Sequence, residues 1–166
     1  MGAMKRRTLL KTGIGAAVLL AGGGLAGGLA GRDPRADRRE VLAGLVPGML
    51  GAALPSDAGA RAAALEQCID GVEVAIAGLS PAAQDELDQL FTLLSIAPGR
   101  LLLAGSAGAW REMGADKAAA VLQSWRVHSV ALMQVAYHAV HDLIYGAWYG
   151  TESHWQAIGY GGPVNL

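Results

Sequence analysis

The sequence predicts an all-α fold, a small irregular bundle of about four helices with a non-regular, aromatic and glycine-rich C-terminal tail. Three observations carry this. Apolar residues from Val41 to Leu143 recur at the spacing of a helix face. The strict apolar–polar alternation of a half-buried strand is almost wholly missing. Helix-start chemistry recurs at Ser56-Asp57, at Ser80-Pro81 and at Asp116.

Residues 31–40 read as a charged linker containing Pro34, with the fold starting near Ala36 and the helical domain spanning 41–147. The first helix carries Val41, Leu42, Leu45, Val46, Met49, Leu50 and Leu54, and Pro47 is expected to kink or divide it. Ser56 or Asp57 caps a second helix bearing Ala64, Leu65, Cys68, Ile69, Val72 and Ile76, which ends at Gly78. Ser80 caps a third, with Pro81 in its first turn and Asp85 and Glu86 near the positive end of its dipole. Its buried stripe is Leu87, Leu90, Phe91, Leu94 and Ile96, and Pro98-Gly99 is expected to break it. Leu101–Leu103 reads as a short helix interrupted by Gly105 and Gly108. Asp116 is expected to cap the longest helix, running to about Ala147. Its inward side is Val121, Leu122, Trp125, Ser129, Leu132, Ala136, Ala139, Val140 and Leu143.

Ahead of this body, residues 1–30 form a leader. Arg6-Arg7, followed by Leu9, Leu10 and Lys11, precedes an apolar run softened by many glycines. No acid occurs before Asp33, so the positive segment stays on the cytoplasmic side as the apolar run enters a membrane. Twin arginines with weak hydrophobicity read as a twin-arginine export signal, the route that carries folded proteins to the periplasm. Gly28-Leu29-Ala30 offers the small residues a signal peptidase prefers, placing a cut after Ala30. The other reading keeps the leader as an uncleaved membrane helix, since its length suffices to span a bilayer.

Composition narrows the partners. The four basic leader residues leave 9 basic against 14 acidic side chains, a net charge near −5 on the remaining 136 residues. That balance argues against nucleic acid, which needs a basic face. The single cysteine, Cys68, lies on a helical stripe and reads as buried; the alternative is a disulfide to another chain.

From Trp148 to Leu166 the chain changes character. Six of the nine aromatic residues fall between Tyr137 and Tyr160. Rings on a segment too glycine-rich to build its own core need a covering surface, either a partner or this chain's own helices. Trp148, Tyr149, Trp155, Ile158, Tyr160 and Pro163 are the candidate partner interface.

The leader, the helical body and the ending Ala147-Trp148-Tyr149-Gly150…Trp155-x-Ala157-Ile158-Gly159-Tyr160-Gly161-Gly162-Pro163 together resemble the small (gamma) subunit of membrane-associated bacterial flavin dehydrogenases. This is the gluconate 2-dehydrogenase subunit 3-like family. Members often end in Gly-Tyr-Pro-Gly-Pro; Gly161 stands here in place of the first proline. The resemblance implies a large FAD-containing oxidoreductase of the glucose-methanol-choline type as partner, often with a cytochrome c subunit holding haem c. It implies that the small subunit has no catalytic or cofactor site of its own. Its role is to help the large subunit mature and to escort it, folded and flavin-loaded, through the twin-arginine translocase to the periplasmic side of the inner membrane.

Other chemistry has thin support. His138 and His141 share a helix face with Gln134 and Tyr145 and are the one candidate metal pair, for a stand-alone periplasmic metal-binding protein or enzyme. No Glu-x-x-His pair, facing carboxylate set or second cysteine accompanies them. Asp142, four residues after His138, suffices as a helix-surface hydrogen-bond partner. No Cys-x-x-Cys-His is present for haem, and no Gly-x-Ser-x-Gly elbow surrounds Ser153 and His154. Gly161-Gly162 neither follows a strand nor opens a helix, so it is no dinucleotide loop. Trp110 and Trp125 read as core or interface anchors.

Overall fold

The computed structural model describes residues 31–155 and 159–162. Within them lie six α-helices and no strand: α1 (Pro34–Leu50), α2 (Ala58–Ala77), α3 (Pro81–Ser95), α4 (Ala97–Ala104), α5 (Ala115–Arg126) and α6 (Ala131–Tyr149). Short 3-10 turns cover Gly51–Ala53, Trp110–Glu112 and Glu152–His154. The all-α class stands; the helix count is six where about four were expected.

α1 occupies the middle. It packs against α2, α3, α5 and the Trp110 turn, while α2 and α5 both pack on α6. Every residue from Val41 to Val46 is buried, because a helix enclosed on all sides has no face left for polar residues. Asp33 caps it by accepting a hydrogen bond from the Arg35 N–H at 3.0 Å, with Pro34 in the first turn. The helix runs through Pro47 to Leu50 without dividing.

Its first turns correct the linker reading of residues 31–40. Arg38 lies between two acids on two other helices. It donates to Glu73 of α2 at 3.1 and 2.7 Å, and to Asp88 of α3. Arg39 reaches Glu66 and Asp70 of α2, both at 2.6 Å. Glu40 Oε1 accepts the Trp110 backbone N–H at 2.8 Å. The charges that suggested a solvated segment instead tie α1 to its neighbours. The Arg38 and Glu73 side chains are only 11% and 10% exposed, so neither charge can rely on water in place of its ionic partners.

The expected breaks also shift. Pro98 and Gly99 do not end a helix; they begin α4. The turn falls at Ile96, which is extended (φ −84°, ψ 146°), and α3 and α4 meet at 90°. Pro98 has no N–H for the Leu94 carbonyl, and the Trp110 indole Nε1–H donates to that oxygen instead, at 2.7 Å. The long helix expected from Asp116 to Ala147 is two helices, broken over residues 127–130. There the His128 Nδ1 accepts the Val130 N–H at 3.0 Å, and Gln134 Nε2 donates to the His128 carbonyl at 2.7 Å. Ser129, expected inside, is exposed, and α5 starts from Gly114 with no side-chain cap from Asp116. The caps Asp57 and Ser80 are found in place, and so are the predicted stripes of α2 and α3, except that Leu65 is only half-buried and Ile96 lies beyond the end of α3, half-buried in the turn.

Close approach at the centre depends on two glycines of α1. A Cβ on Gly44 would lie 2.3 Å from the Trp110 carbonyl oxygen. A Cβ on Gly48 would lie 2.6 Å from both the Ala118 methyl and the Ala119 nitrogen of α5. These neighbours are backbone or a methyl fixed to it, so neither can swing away.

Gly48→Ala is therefore expected to lower stability by about 1–3 kcal/mol, overpacking outweighing the helix-propensity gain. Gly146, in α6, has open space where an added methyl group would stand, and Gly146→Ala is expected to be neutral or stabilising by up to about 1 kcal/mol. Urea midpoints of the two variants test the contrast; equal shifts would refute tight α1–α5 packing.

Candidate functional site

The candidate interface begins where α6 ends. Trp148 is buried, 4% exposed, with its ring stacked on His154 at 3.6 Å between centroids. The His154 Nδ1 lies 2.8 Å from the Trp148 carbonyl. The Trp155 indole Nε1–H donates to the Tyr149 carbonyl at 2.6 Å, and Tyr160 meets Trp155 edge-on at 5.3 Å. The last carbonyls of α6 have no intrahelical donor, and the tail's own rings supply one. So Trp148 belongs to the core, and Trp155, half-buried, folds back on its own helix. Tyr149 is half-buried, stacked on Tyr145, while Tyr160 remains 48% exposed. Ile158 and Pro163 lie outside the described residues, as do Arg6, Arg7, Leu9, Leu10 and Lys11 of the leader.

The histidine pair joins an aromatic stripe along α6. Tyr137, His141, Tyr145 and Tyr149 follow one another at helical spacing, with ring centroids 5.6, 4.6 and 5.6 Å apart. His141 Nδ1 is 2.9 Å from Asp142 Oδ1, so Asp142 partners His141 and not His138 as expected. His138 is exposed against Tyr137. Among the described residues no three of His, Cys, Asp and Glu come together as a metal site. The Tyr145 hydroxyl donates to the Met49 carbonyl at 3.2 Å, joining α6 to the end of α1.

Cys68 is buried, 2% exposed, with its Sγ 3.9 Å from the Ile144 carbonyl of α6. In this fold it faces the interior, out of reach of a disulfide to another chain. Burial pushes the thiol up from 9.0 to about 11, because the charged thiolate is poorly solvated there.

Unforeseen apolar exposure lies elsewhere. Leu101 and Leu102 of α4 are 60% and 81% exposed, and Val127 and Val130 between α5 and α6 are 67% and 51% exposed. The Trp125 indole Nε1–H donates to the Leu103 carbonyl at 2.7 Å, so α4 and the end of α5 adjoin. A shallow apolar groove of about 230 Å³ also runs between α3 and α6, lined by Leu79, Ala83, Leu87, Ala139 and Leu143. The sequence signal for the exposed leucines was present: Leu101, Leu102 and Leu103 are consecutive, and a helix of eight residues cannot bury three in a row on one face.

Among the described residues no single helix is long and apolar enough to cross a membrane; two bent pairs reach that length and composition only together. Comparison with family models, characterised proteins and solved structures finds no match.

Two outcomes are expected. The unfolded Cys68 thiol ionises near pH 9 and the folded one near 11, so the stability that its neutral form supplies is complete below about pH 9 and lost between 9 and 11. The stability gap between wild type and Cys68→Ala, read from urea midpoints, should therefore shrink between pH 8 and about 10.5; a constant gap contradicts it. Trp155→Phe removes one hydrogen bond at a part-exposed site, for a loss of about 0.5–1.5 kcal/mol confined to the end of α6. Hydrogen exchange should speed up there and stay unchanged in α2 and α3.

Proposed function

We propose that this chain is a non-catalytic accessory subunit that binds a large FAD-dependent dehydrogenase of the glucose-methanol-choline type and escorts it, folded, through the twin-arginine translocase. The observation that carries the reading is the pairing of Arg6-Arg7 and the glycine-softened leader with the Trp148–Pro163 ending. A folded-export signal suits a protein whose cofactor must be loaded before crossing. In this reading the FAD belongs to the companion, a third cytochrome c subunit with haem c receives the electrons, and the assembly works on the periplasmic side of the inner membrane.

The contact with the companion is apolar. Leu101, Leu102, Val127 and Val130 offer side chains that gain by being covered, and Tyr160 adds an aromatic edge. By binding only the folded large subunit, the chain shifts that protein's equilibrium toward its folded form. The surface is therefore expected to matter for maturation as well as for transport.

Co-expression with a large FAD-dependent dehydrogenase of the glucose-methanol-choline type from the same genome provides the test. The two proteins should co-purify from periplasm or membranes, with FAD bound in the larger one. Replacing Arg6 and Arg7 together with lysine should strand both in the cytoplasm. A large subunit that reaches the periplasm without this chain, or a chain that stays monomeric beside it, would refute the reading.

A further inference from the structure

Positive charge is unevenly placed on this chain. Residues 97–130 carry four basic side chains against two acidic ones, whereas the rest of the chain after residue 30 carries five against twelve. Arg32, Arg38 and Arg39 each meet carboxylates. Arg100 and Arg126 meet none among the described residues. Carbonyls hold Arg100 instead: its Nε and Nη2 donate to the Ala107 oxygen at 3.2 and 3.0 Å, and its Nη1 donates to the Ser95 oxygen. A carbonyl has no net charge, so these bonds orient the guanidinium without cancelling its charge. Arg126 is exposed in the last turn of α5. Both arginines border exposed aliphatic side chains. Leu101 and Leu102 follow Arg100; Val127 follows Arg126, with Val130 a few residues on. The hydrogen bond from Trp125 to the Leu103 carbonyl ties the two segments together, and Leu102 and Arg126 are the chain neighbours of its two ends.

We propose that Arg100 and Arg126 determine which surface this patch accepts: an apolar face of the large dehydrogenase that is bordered by carboxylates. The inference rests on the accessory-subunit reading above. Burial of the four aliphatic side chains is non-directional and would favour any apolar face. The arginines remove that tolerance. A carboxylate meets a guanidinium through directed, charge-assisted hydrogen bonds. A face without one would cover a cation and give it no partner, and a face bordered by lysine or arginine would repel it. Arg100 is already oriented by Ser95 and Ala107, so docking costs it little side-chain freedom. The local excess of positive charge also speeds encounter with an acidic border. An anionic lipid surface offers apolar and negative groups too, but its headgroups are mobile and are met by long basic side chains free to reach for them. A guanidinium held by three hydrogen bonds suits a carboxylate fixed in a folded protein.

Binding kinetics of the full chain to a purified FAD-dependent dehydrogenase of the glucose-methanol-choline type from the same genome provide the test. Wild type is compared with Arg100→Gln, Arg126→Gln and Arg126→Glu, with folding checked by circular dichroism and urea midpoints. Arg61→Gln, on α2, controls for loss of a charge elsewhere that likewise meets no carboxylate among the described residues. Wild-type association should slow as salt rises from about 50 to about 500 mM. Arg100→Gln and Arg126→Gln should bind roughly tenfold more weakly with a flatter salt dependence, Arg126→Glu more weakly still, and Arg61→Gln as wild type does. In Arg126→Lys, a carbodiimide should couple the introduced amine to an aspartate or glutamate of the dehydrogenase, identified by mass spectrometry. Wild-type affinity and salt dependence in all three arginine variants of the patch, with the complex formed, overturn the selection and leave the accessory reading intact. Phosphatidylglycerol vesicles that bind wild type but not Arg126→Glu, while the complex is unchanged, assign the arginines to lipid and overturn it too. A wild-type chain that forms no complex overturns both readings.

Discussion

A helix enclosed on every side must satisfy its charged end as well as its apolar middle. α1 does both. Gly44 and Gly48 let the Trp110 turn and α5 come within backbone distance, and this close approach removes water from around Val41 to Val46. Arg38, one turn earlier, is consequently drawn out of solvent. A guanidinium in that position is tolerated only if carboxylates meet it, and Glu73 and Asp88 do so from two different helices. The tie sets the rotation of α2 and α3 around α1. Removing either the small residues or the acids would leave the other half of the arrangement without its reason.

The aromatic residues answer a second demand. Short helices joined at sharp angles leave many terminal carbonyls without donors, and this fold has them at the ends of α1, α3, α4 and α6. Tyr145 donates to Met49 of α1, Trp110 to Leu94 of α3, Trp125 to Leu103 of α4 and Trp155 to Tyr149 of α6. Each ring fills volume with its body and ends a helix with its polar tip. Trp110 and Trp125 also meet edge-on at 6.5 Å, so the ends of α3 and α4 share one aromatic centre. Four of the eight Trp and Tyr side chains thus serve to close helix ends.

Much of the fold could be read from spacing alone, and the failures have physical causes. Asp57, Ser80 and Pro81 announced their helices because caps act within one turn and need no distant partner. The break near Val127 gave no such signal. No glycine or proline marks it, and the apolar period passes through; the turn shows only in three dimensions, in the exposure of Val127, Ser129 and Val130. The charged residues 32–40 misled for the opposite reason. Their partners Glu66, Asp70, Glu73, Asp88 and Ser95 lie far away in sequence, and a local reading can only assign such charges to water. Among the candidate site residues, His141 joins the stripe of Tyr137 and Tyr145 while His138 is exposed, and the acid expected beside His138 lies against His141 instead.

The placement of the tail changes what a docking surface on this protein must be. If Trp148 and Trp155 close the end of α6, they contribute to a complex by holding the helix end in shape and not by inserting into a companion. Substituting them would then lower binding through loss of local structure, and a binding defect alone would not locate the interface. Leu102 and Val127 make no such structural contribution: both are largely exposed and neither supplies a hydrogen bond from its side chain. A partner that covers α4 and the α5–α6 connection would bury apolar area that water now contacts, at little cost in rearranged structure. The physical division is between rings that complete the helices and aliphatic side chains that complete nothing among the described residues. The accessory role proposed above needs both, the first to be a folded protein before transport, the second to offer a companion a surface to cover.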